Sequence, residues 1–270
     1  MRRSWLFVPG ADPQAHEAAA ASGADVIILE LEDFTPPELR PKARALSRDV
    51  FDRWRQAGAR AAARINPLET CGNEDLIGVL AGRPDLILMS KVATPQQVVA
   101  LEKATGGAMA LVPNVETAAG LVNAFAIARA SPRVSAMLVA SEDMVADLGT
   151  ARSRRGEELA YVRARFLVEC RAAGVEAIDC PYTFSDVKGA VADAKTAKRL
   201  GYRMKSLVDP SHAKAINAVF SPTKAELRKA ERIVAAFEKA RAAGKERARV
   251  DGALIEVPIY AAAKRLLQNR

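Results

Sequence analysis

Eight short apolar runs, each followed by a stretch with helical spacing, fill the chain from residue 4 to residue 208. They fall at residues 4–8, 25–31, 59–65, 86–89, 108–112, 134–139, 175–178 and 204–208. Each has the length of a buried strand, and residues 25–31 (DVIILEL) carry the densest β-branched and apolar content. Helices are expected between them at residues 13–21, 41–57, 73–81, 95–105, 117–130, 156–173 and 185–200. Glycines 23, 58, 82, 106, 174 and 201 supply stop signals, and Asp12-Pro13 and Thr94-Pro95 supply starts. Strands joined through helices lie parallel and adjacent. Eight such units without a sheet-edge signal give an α/β fold, the (β/α)8 TIM barrel. A doubly wound sheet is the alternative, but no GxGxxG follows the first strand.

The barrel occupies residues 1–220, and residues 221–270 form a C-terminal helical extension able to reach a neighbouring subunit. Thr223-Lys-Ala-Glu226 is a capping box opening an amphipathic helix through Leu227, Ile233, Val234 and Phe237. Residues 244–249 read as a basic flexible linker, and residues 260–267 as a last helix.

With 270 residues, half of them apolar, the chain can bury a large core. No apolar run reaches the length of about 18 residues that a membrane helix needs. The apolar run after Met-Arg-Arg is too short for a signal peptide, so a cytoplasmic location is expected. Cys71, Cys170 and Cys180 have no CxxC spacing and read as reduced structural thiols. The net charge of +8 raises nucleic acid as a partner, but aromatic content is 5% and no nucleic-acid motif is present. The basic clusters read as solvated faces, with Arg152, Arg154 and Arg155 as candidates for binding a phosphate-bearing substrate.

In TIM barrels the loops after the strands build the active site. Here they carry Glu30, Glu32, Arg64, Lys91, Glu116, Asp143, Asp179 and Asp209. Glu116 and Asp143 follow neighbouring strands, and oxygen ligands alone favour Mg²⁺ over zinc. Capping of the following helices is the competing role for both. Arg64 is suited to gripping a substrate carboxylate, or to pairing with Glu30 or Glu32, or to both. Lys91 is placed for a Schiff base, but paired acids would be surplus to that chemistry, which favours an electrostatic role. His16 is expected on the surface and His212 at a helix start. No GxSxG or GxxxxGK[ST] occurs.

Taken in order, Arg3-Ser4-Trp5-Leu6-Phe7-Val8-Pro9-Gly10, Leu29-Glu30-Leu31-Glu32-Asp33, Arg64-Ile65-Asn66-Pro67, Lys91-Val92, Val115-Glu116-Thr117 and Ser141-Glu142-Asp143-Met144 resemble the citrate lyase β-subunit-like family. That family belongs to the Mg²⁺-dependent aldolases and CoA-ester lyases. The resemblance implies a barrel assembled as a homotrimer or homohexamer, with Mg²⁺ on Glu116 and Asp143 and Arg64 on the α-keto acid. It implies carbon–carbon cleavage or formation in a 3-hydroxyacyl CoA thioester of citramalyl, malyl or citryl type. Glu32 and Lys91 complete the expected site. Glu256 matches an acid, usually aspartate, that reaches a neighbouring subunit's site and handles the enolate proton. The chain departs from the family pattern at Glu30, Ser90, Ala140 and Asp209, where aspartate, proline, glycine and histidine are usual. A class II pyruvate aldolase without a thioester substrate, and a catalytically silent barrel subunit or binding protein, are the alternatives.

Overall fold

The structure, a computed structural model, describes residues 2–107 and 109–268. Ala108, expected to open the fifth strand, lies outside the described residues. The chain divides into two compact units, Arg2–Phe220 and Ser221–Arg270.

The first unit is a closed barrel of eight parallel strands in sequential order. They are β1 (Ser4–Pro9), β2 (Val26–Glu30), β3 (Arg60–Ile65), β4 (Leu86–Met89), β5 (Ala110–Val115), β6 (Ala136–Val139), β7 (Glu176–Asp179) and β8 (Met204–Leu207). The barrel closes where Ser4 of β1 pairs with Lys205 of β8. The helices around it are α1 (Pro13–Ala21), α2 (Arg40–Gln56), α3 (Gly72–Leu80), α4 (Pro95–Thr105), α5 (Ala118–Val122), α6 (Ala124–Arg129), α7 (Glu142–Asp147), α8 (Ala160–Ala173), α9 (Val187–Leu200) and α10 (Ala213–Phe220). Asp12 caps α1 by accepting hydrogen bonds from the Gln14 and Ala15 amides.

Alternation along the strands separates two cores. Trp5, Phe7, Val26, Ile28, Leu86 and Leu88 belong to a cluster made of strand residues alone, which fills the barrel. Their neighbours Leu6, Ile27, Leu29 and Ile87 pack against helical residues in the outer core. Parity therefore decides which strand-end residues reach the mouth.

Several expectations need correction. The helix expected over 117–130 is split into α5 and α6 at Asn123, whose side-chain amide donates to the Ala93 carbonyl (2.8 Å). His16 is buried, not on the surface: Nε2 lies 2.9 Å from the Pro9 carbonyl, and the ring meets Trp54 edge-on. His212 is also buried, in a 3-10 turn after β8. The cysteines follow expectation: Cys170 and Cys180 are buried free thiols, and burial pushes both up to about 12.

The second unit packs α11 (Lys224–Ala242) and α12 (Val257–Gln268) with an antiparallel hairpin, β9 (Ala248–Val250) and β10 (Ala253–Ile255). The capping box forms, with Glu226 accepting from the Thr223 amide and donating its own amide to Thr223 Oγ1. Residues 248 and 249 are thus strand, not linker. Asp251 (φ 50°) and Gly252 (φ 80°) make a turn in which both central residues are left-handed, the geometry that matches hairpin twist. Ile233, Phe237, Ile255 and Ala263 form this unit's core, with Phe237 stacked on Tyr260.

Candidate active site

A cavity of about 310 Å³ opens at the C-terminal mouth of the barrel. Its charged side is built on β2, β3 and β5. Glu30 and Arg64 are direct cross-strand partners at the ends of β2 and β3, both turned inward. Arg64 donates from Nε to Glu30 Oε1 (2.9 Å), and its Nη2 lies 3.0 Å from Glu32 Oε2. Its Nη1 lies 3.4 Å from Glu116 Oε1, and its guanidinium sits 4.8 Å from the centroid of the Phe7 ring. Burial works against the guanidinium's charge, but Glu30, Glu116, Glu32 and Asp33 outweigh it and raise its pKa.

Glu30 is held as firmly as the arginine. Its carboxylate also accepts from the Glu32 and Phe34 amides, both at 2.6 Å, so it fixes the loop that carries Glu32 and Asp33. Gly10 fits tightly behind this loop. A Cβ there would come within 2.7 Å of the Glu30 carbonyl oxygen, and its amide donates to Thr35 Oγ1 (2.8 Å). The Asp-to-Glu departure at position 30 thus supplies a side chain that binds the arginine and the loop together.

Lys91 follows β4 with φ 53°, an unusual conformation for a residue with a Cβ, of the kind that collects at functional sites. Its Nζ lies 2.5 Å from Glu32 Oε1, which favours ion pairing over a Schiff-base role. Burial raises the Glu32 pKa, and Arg64 and Lys91 only partly offset it.

Glu116 is fully buried just past the end of β5. Oε1 accepts from Asn114 Nδ2 (2.5 Å), while Oε2 has no hydrogen-bond partner among the described residues. Burial pushes this carboxyl up to about 8; Glu32 and Asp143 add to the effect, and Arg64 and Lys91 oppose it. Asp143, in the first turn of α7, lines the cavity. Five carboxylates, those of Glu30, Glu32, Asp33, Glu116 and Asp143, therefore surround two cations, Arg64 and Lys91. A buried carboxylate with an uncovered oxygen, next to a second carboxylate and surplus negative charge, fits a divalent cation. No group of three or more His, Cys, Asp or Glu side chains converges as a metal cage among the described residues. A Mg²⁺ ion keeps several waters and takes only one or two protein carboxylates.

Two acids expected at the mouth are not there. Asp179 follows the inward Ile178, so it points outward into the helical layer. There it accepts from Arg163 Nε (2.8 Å) and Nη2 (2.7 Å) and from Lys205 Nζ (2.6 Å). Asp193 of α9 completes this buried network through Arg163 and Lys205. Asp209 caps the turn after β8, accepting from the Ser211 amide (2.8 Å). Conversely, Asn114, Ser141 and Thr183 line the cavity and were not singled out from the sequence. Asn114 could have been found, because it lies two residues before Glu116 and so shares its face.

The arginines expected at a phosphate differ in their surroundings. Arg152 is largely buried against Glu158 (2.8 Å); burial raises the Glu158 carboxyl, but hydrogen bonds chiefly from Ser153, with a smaller one from Arg152, hold it down at about 2. Arg154 pairs with Asp186 (2.7 Å) and lies over the Phe184 ring, and Arg155 is exposed beside Glu157. Glu256 belongs to the second unit, next to the start of α12, with Arg247 Nε 3.4 Å away.

A (β/α)8 barrel whose mouth gathers carboxylates around a buried arginine is an enzyme scaffold of the aldolase and lyase class. The HpcH/HpaI aldolase/citrate lyase model matches residues 3–210, and the chain belongs to that family. The citrate lyase subunit beta of Leuconostoc mesenteroides subsp. cremoris is 31% identical over 280 residues, covering 99% of this chain and 93% of that protein. The (3S)-malyl-CoA thioesterase of Cereibacter sphaeroides is 33% identical over 265 residues, covering 94% and 89%. The crystal structure of protein CitE from Mycobacterium tuberculosis in complex with magnesium, acetoacetate and coenzyme A matches with a TM-score of 0.82 at 29% identity, covering 98% of this chain and 97% of that one. The chain is thus an enzyme of a carbon–carbon lyase family.

Proposed function

We propose that the protein is a Mg²⁺-dependent carbon–carbon lyase of a 3-hydroxy-3-carboxyacyl CoA thioester, releasing an α-keto acid and an acyl thioester. The observation that carries this reading is the buried, partnerless Glu116 Oε2 beside Asp143 at a mouth that also presents Arg64. Glu116 and Asp143 are the proposed holders of the ion, which when bound supplies Lewis acidity toward the substrate's hydroxyl and carboxylate oxygens. Arg64, held by Glu30, is a preformed donor for the oxygen that becomes the keto-acid carbonyl. Glu32 and Lys91 keep that arginine and its loop in position.

In the cleavage direction the substrate hydroxyl gives up its proton to water at the open mouth, and the bond between C2 and C3 breaks. Its electron pair passes to the thioester α-carbon, which then takes up a proton. Glu256 from a neighbouring subunit's extension is the proposed donor of that proton, and acts as base in the synthetic direction. This role calls for the homotrimer or homohexamer that the family resemblance implies. Arg154 and Arg155 are proposed to meet the CoA phosphates, and Arg152 to brace their loop through Glu158. Under this reading the reaction runs in the cytoplasm.

The test is product analysis with citramalyl-, malyl- and citryl-CoA, with Mg²⁺ or EDTA. Release of keto acid and acyl-CoA only with Mg²⁺ is expected. Cleavage that survives EDTA would overturn the metal role. Turnover of free hydroxy-keto acids but of no thioester would favour the aldolase, and release of CoA without keto acid would indicate a thioesterase. Mixing Glu256→Gln subunits with Arg64→Lys subunits should restore part of the activity if the acid acts across subunits.

A further inference from the structure

Among the described residues, four that line the cavity carry hydrogen-bond donors in their side chains: Arg64, Asn114, Ser141 and Thr183. Three of the four are already engaged. Arg64 is shared by Glu30, Glu32 and Glu116. Asn114 donates from Nδ2 to Glu116 Oε1 (2.5 Å), and Thr183 donates from Oγ1 to Glu142 Oε1 (2.7 Å). Ser141 is the exception. The residue is buried, and its Oγ has no hydrogen-bond partner among the described residues.

The local chain explains why that hydroxyl is left over. Ser141 immediately precedes α7, the place where a serine ordinarily accepts from the amides of the first helical turn. That role goes with an extended backbone at the serine; here φ is −104° and ψ −57°, and no such bond forms. The neighbours fix where the residue stands. The Ala140 amide donates to the Val115 carbonyl (2.9 Å), which ties the end of β6 to the residue before Glu116. Asp143 follows two residues after Ser141. The spare hydroxyl is thus carried by the same short segment as one proposed holder of the ion, and that segment is tied next to the other.

The keto-acid half of the proposed substrate presents three oxygens, one from the hydroxyl and two from the carboxylate. An ion on Glu116 and Asp143 would serve the hydroxyl and one carboxylate oxygen. Arg64 serves the hydroxyl oxygen as well, so one carboxylate oxygen is left without a donor. A serine hydroxyl suits it. Oγ–H turns to its acceptor, and a hydrogen bond to a charged oxygen is stronger than one between neutral groups.

We infer that Ser141 binds substrate, its hydroxyl donating to the carboxylate oxygen of the keto-acid half that the ion leaves uncovered. This inference rests on the lyase reading of the same cavity. The rival role is scaffolding, through a bond to Asn114 Oδ1, which is also buried and partnerless. The two roles differ in sign. A buried hydroxyl kept for substrate burdens the ligand-free fold, and its removal leaves stability unchanged or improved, whereas loss of a scaffolding hydroxyl weakens the fold.

The experiment compares Ser141→Ala with the wild-type chain by calorimetry. Affinities for Mg²⁺ alone, and for acetyl-CoA, which lacks a carboxylate, should agree within about twofold. Pyruvate should bind the Mg²⁺-loaded variant about 10-fold more weakly than the loaded wild type, the loss of one hydrogen bond to a charged group. The variant's melting temperature should lie no more than about 2 °C below that of the wild type. A pyruvate loss under about threefold, an equal loss for acetyl-CoA, or a larger fall in melting temperature overturns the inference. If the loaded wild type binds acetyl-CoA but no pyruvate, the lyase reading fails and takes the inference with it. If it binds pyruvate and Ser141→Ala binds it equally well, the inference alone fails.

Discussion

Replacing Lys205 by Met should be among the most damaging single changes outside the cavity. Lys205 is fully buried, and its Nζ contacts Asp179 Oδ2 (2.6 Å), Asp193 Oδ2 (2.5 Å) and the Cys180 carbonyl. With Arg163, it balances two buried carboxylates with two buried cations. Lys205→Met removes one cation and leaves a carboxylate uncompensated, a defect that costs about 3–5 kcal/mol. For a unit of this size the melting temperature should fall by roughly 6–20 °C. The double variant Lys205→Met, Asp193→Leu removes one charge of each sign and leaves the Arg163–Asp179 pair intact. It should recover at least half of the loss. Burial opposes ionisation of Asp193, but Lys205 and Arg163 outweigh it and hold its carboxyl below the usual range. Its contribution is therefore full above the ordinary carboxylate pKa and is lost as pH falls through the lowered value. Without Lys205 that acid-side loss should shrink. Scanning calorimetry between pH 3 and 8 measures both effects. A single variant within about 2 °C of the wild type, or a double variant no better than the single, would refute the charge-balance reasoning.

Glu116→Gln and Asp143→Asn should each abolish Mg²⁺ binding measurable by calorimetry and lower kcat/KM at least about 100-fold. Because burial pushes the Glu116 carboxyl up to about 8, the metal-free protein should lose stability as pH rises from the ordinary glutamate value through 8. Mg²⁺ affinity should strengthen about tenfold per pH unit below about pH 7 and level off towards 8, since the ion displaces a proton; a flat profile would count against it. Arg64→Lys keeps the charge but loses the fork that spans Glu30, Glu32 and Glu116, and kcat/KM should drop about 100-fold with the fold retained by circular dichroism. Gly10→Ala forces a Cβ to within 2.7 Å of the Glu30 carbonyl oxygen and should destabilise the barrel by about 1–3 kcal/mol, read by urea unfolding.

The barrel was legible because its strands are apolar on both faces and its helices are closed by glycine or opened by proline, so the period needs no tertiary information. Arg64, Glu32, Lys91 and Glu116 were legible because they stand at or just beyond strand ends. Asp179 satisfies the same rule of position but not of direction, because Ile178 takes the inward place and turns it into the helical layer. His16 was misjudged because helix α1 is rich in alanine and offers little contrast between faces. The break at Asn123 depends on a side chain meeting the Ala93 carbonyl, a contact between distant segments that local spacing does not encode. The β9–β10 hairpin has a local signal, since Asp251-Gly252 stands between Ala248-Arg249-Val250 and Ala253-Leu254-Ile255, one short run that alternates and one that is apolar.

Because residues on a strand face in and out by turns, deleting one residue upstream in β7 or β8 would exchange the two populations. Asp179 or Lys205 would enter the mouth, and the apolar neighbours would go to the helical layer. Such a chain would have almost the same composition, but it would bring a charge to the mouth and break the buried network of Arg163, Asp179, Asp193 and Lys205. Which charges reach the cavity is thus set by registration as much as by residue identity.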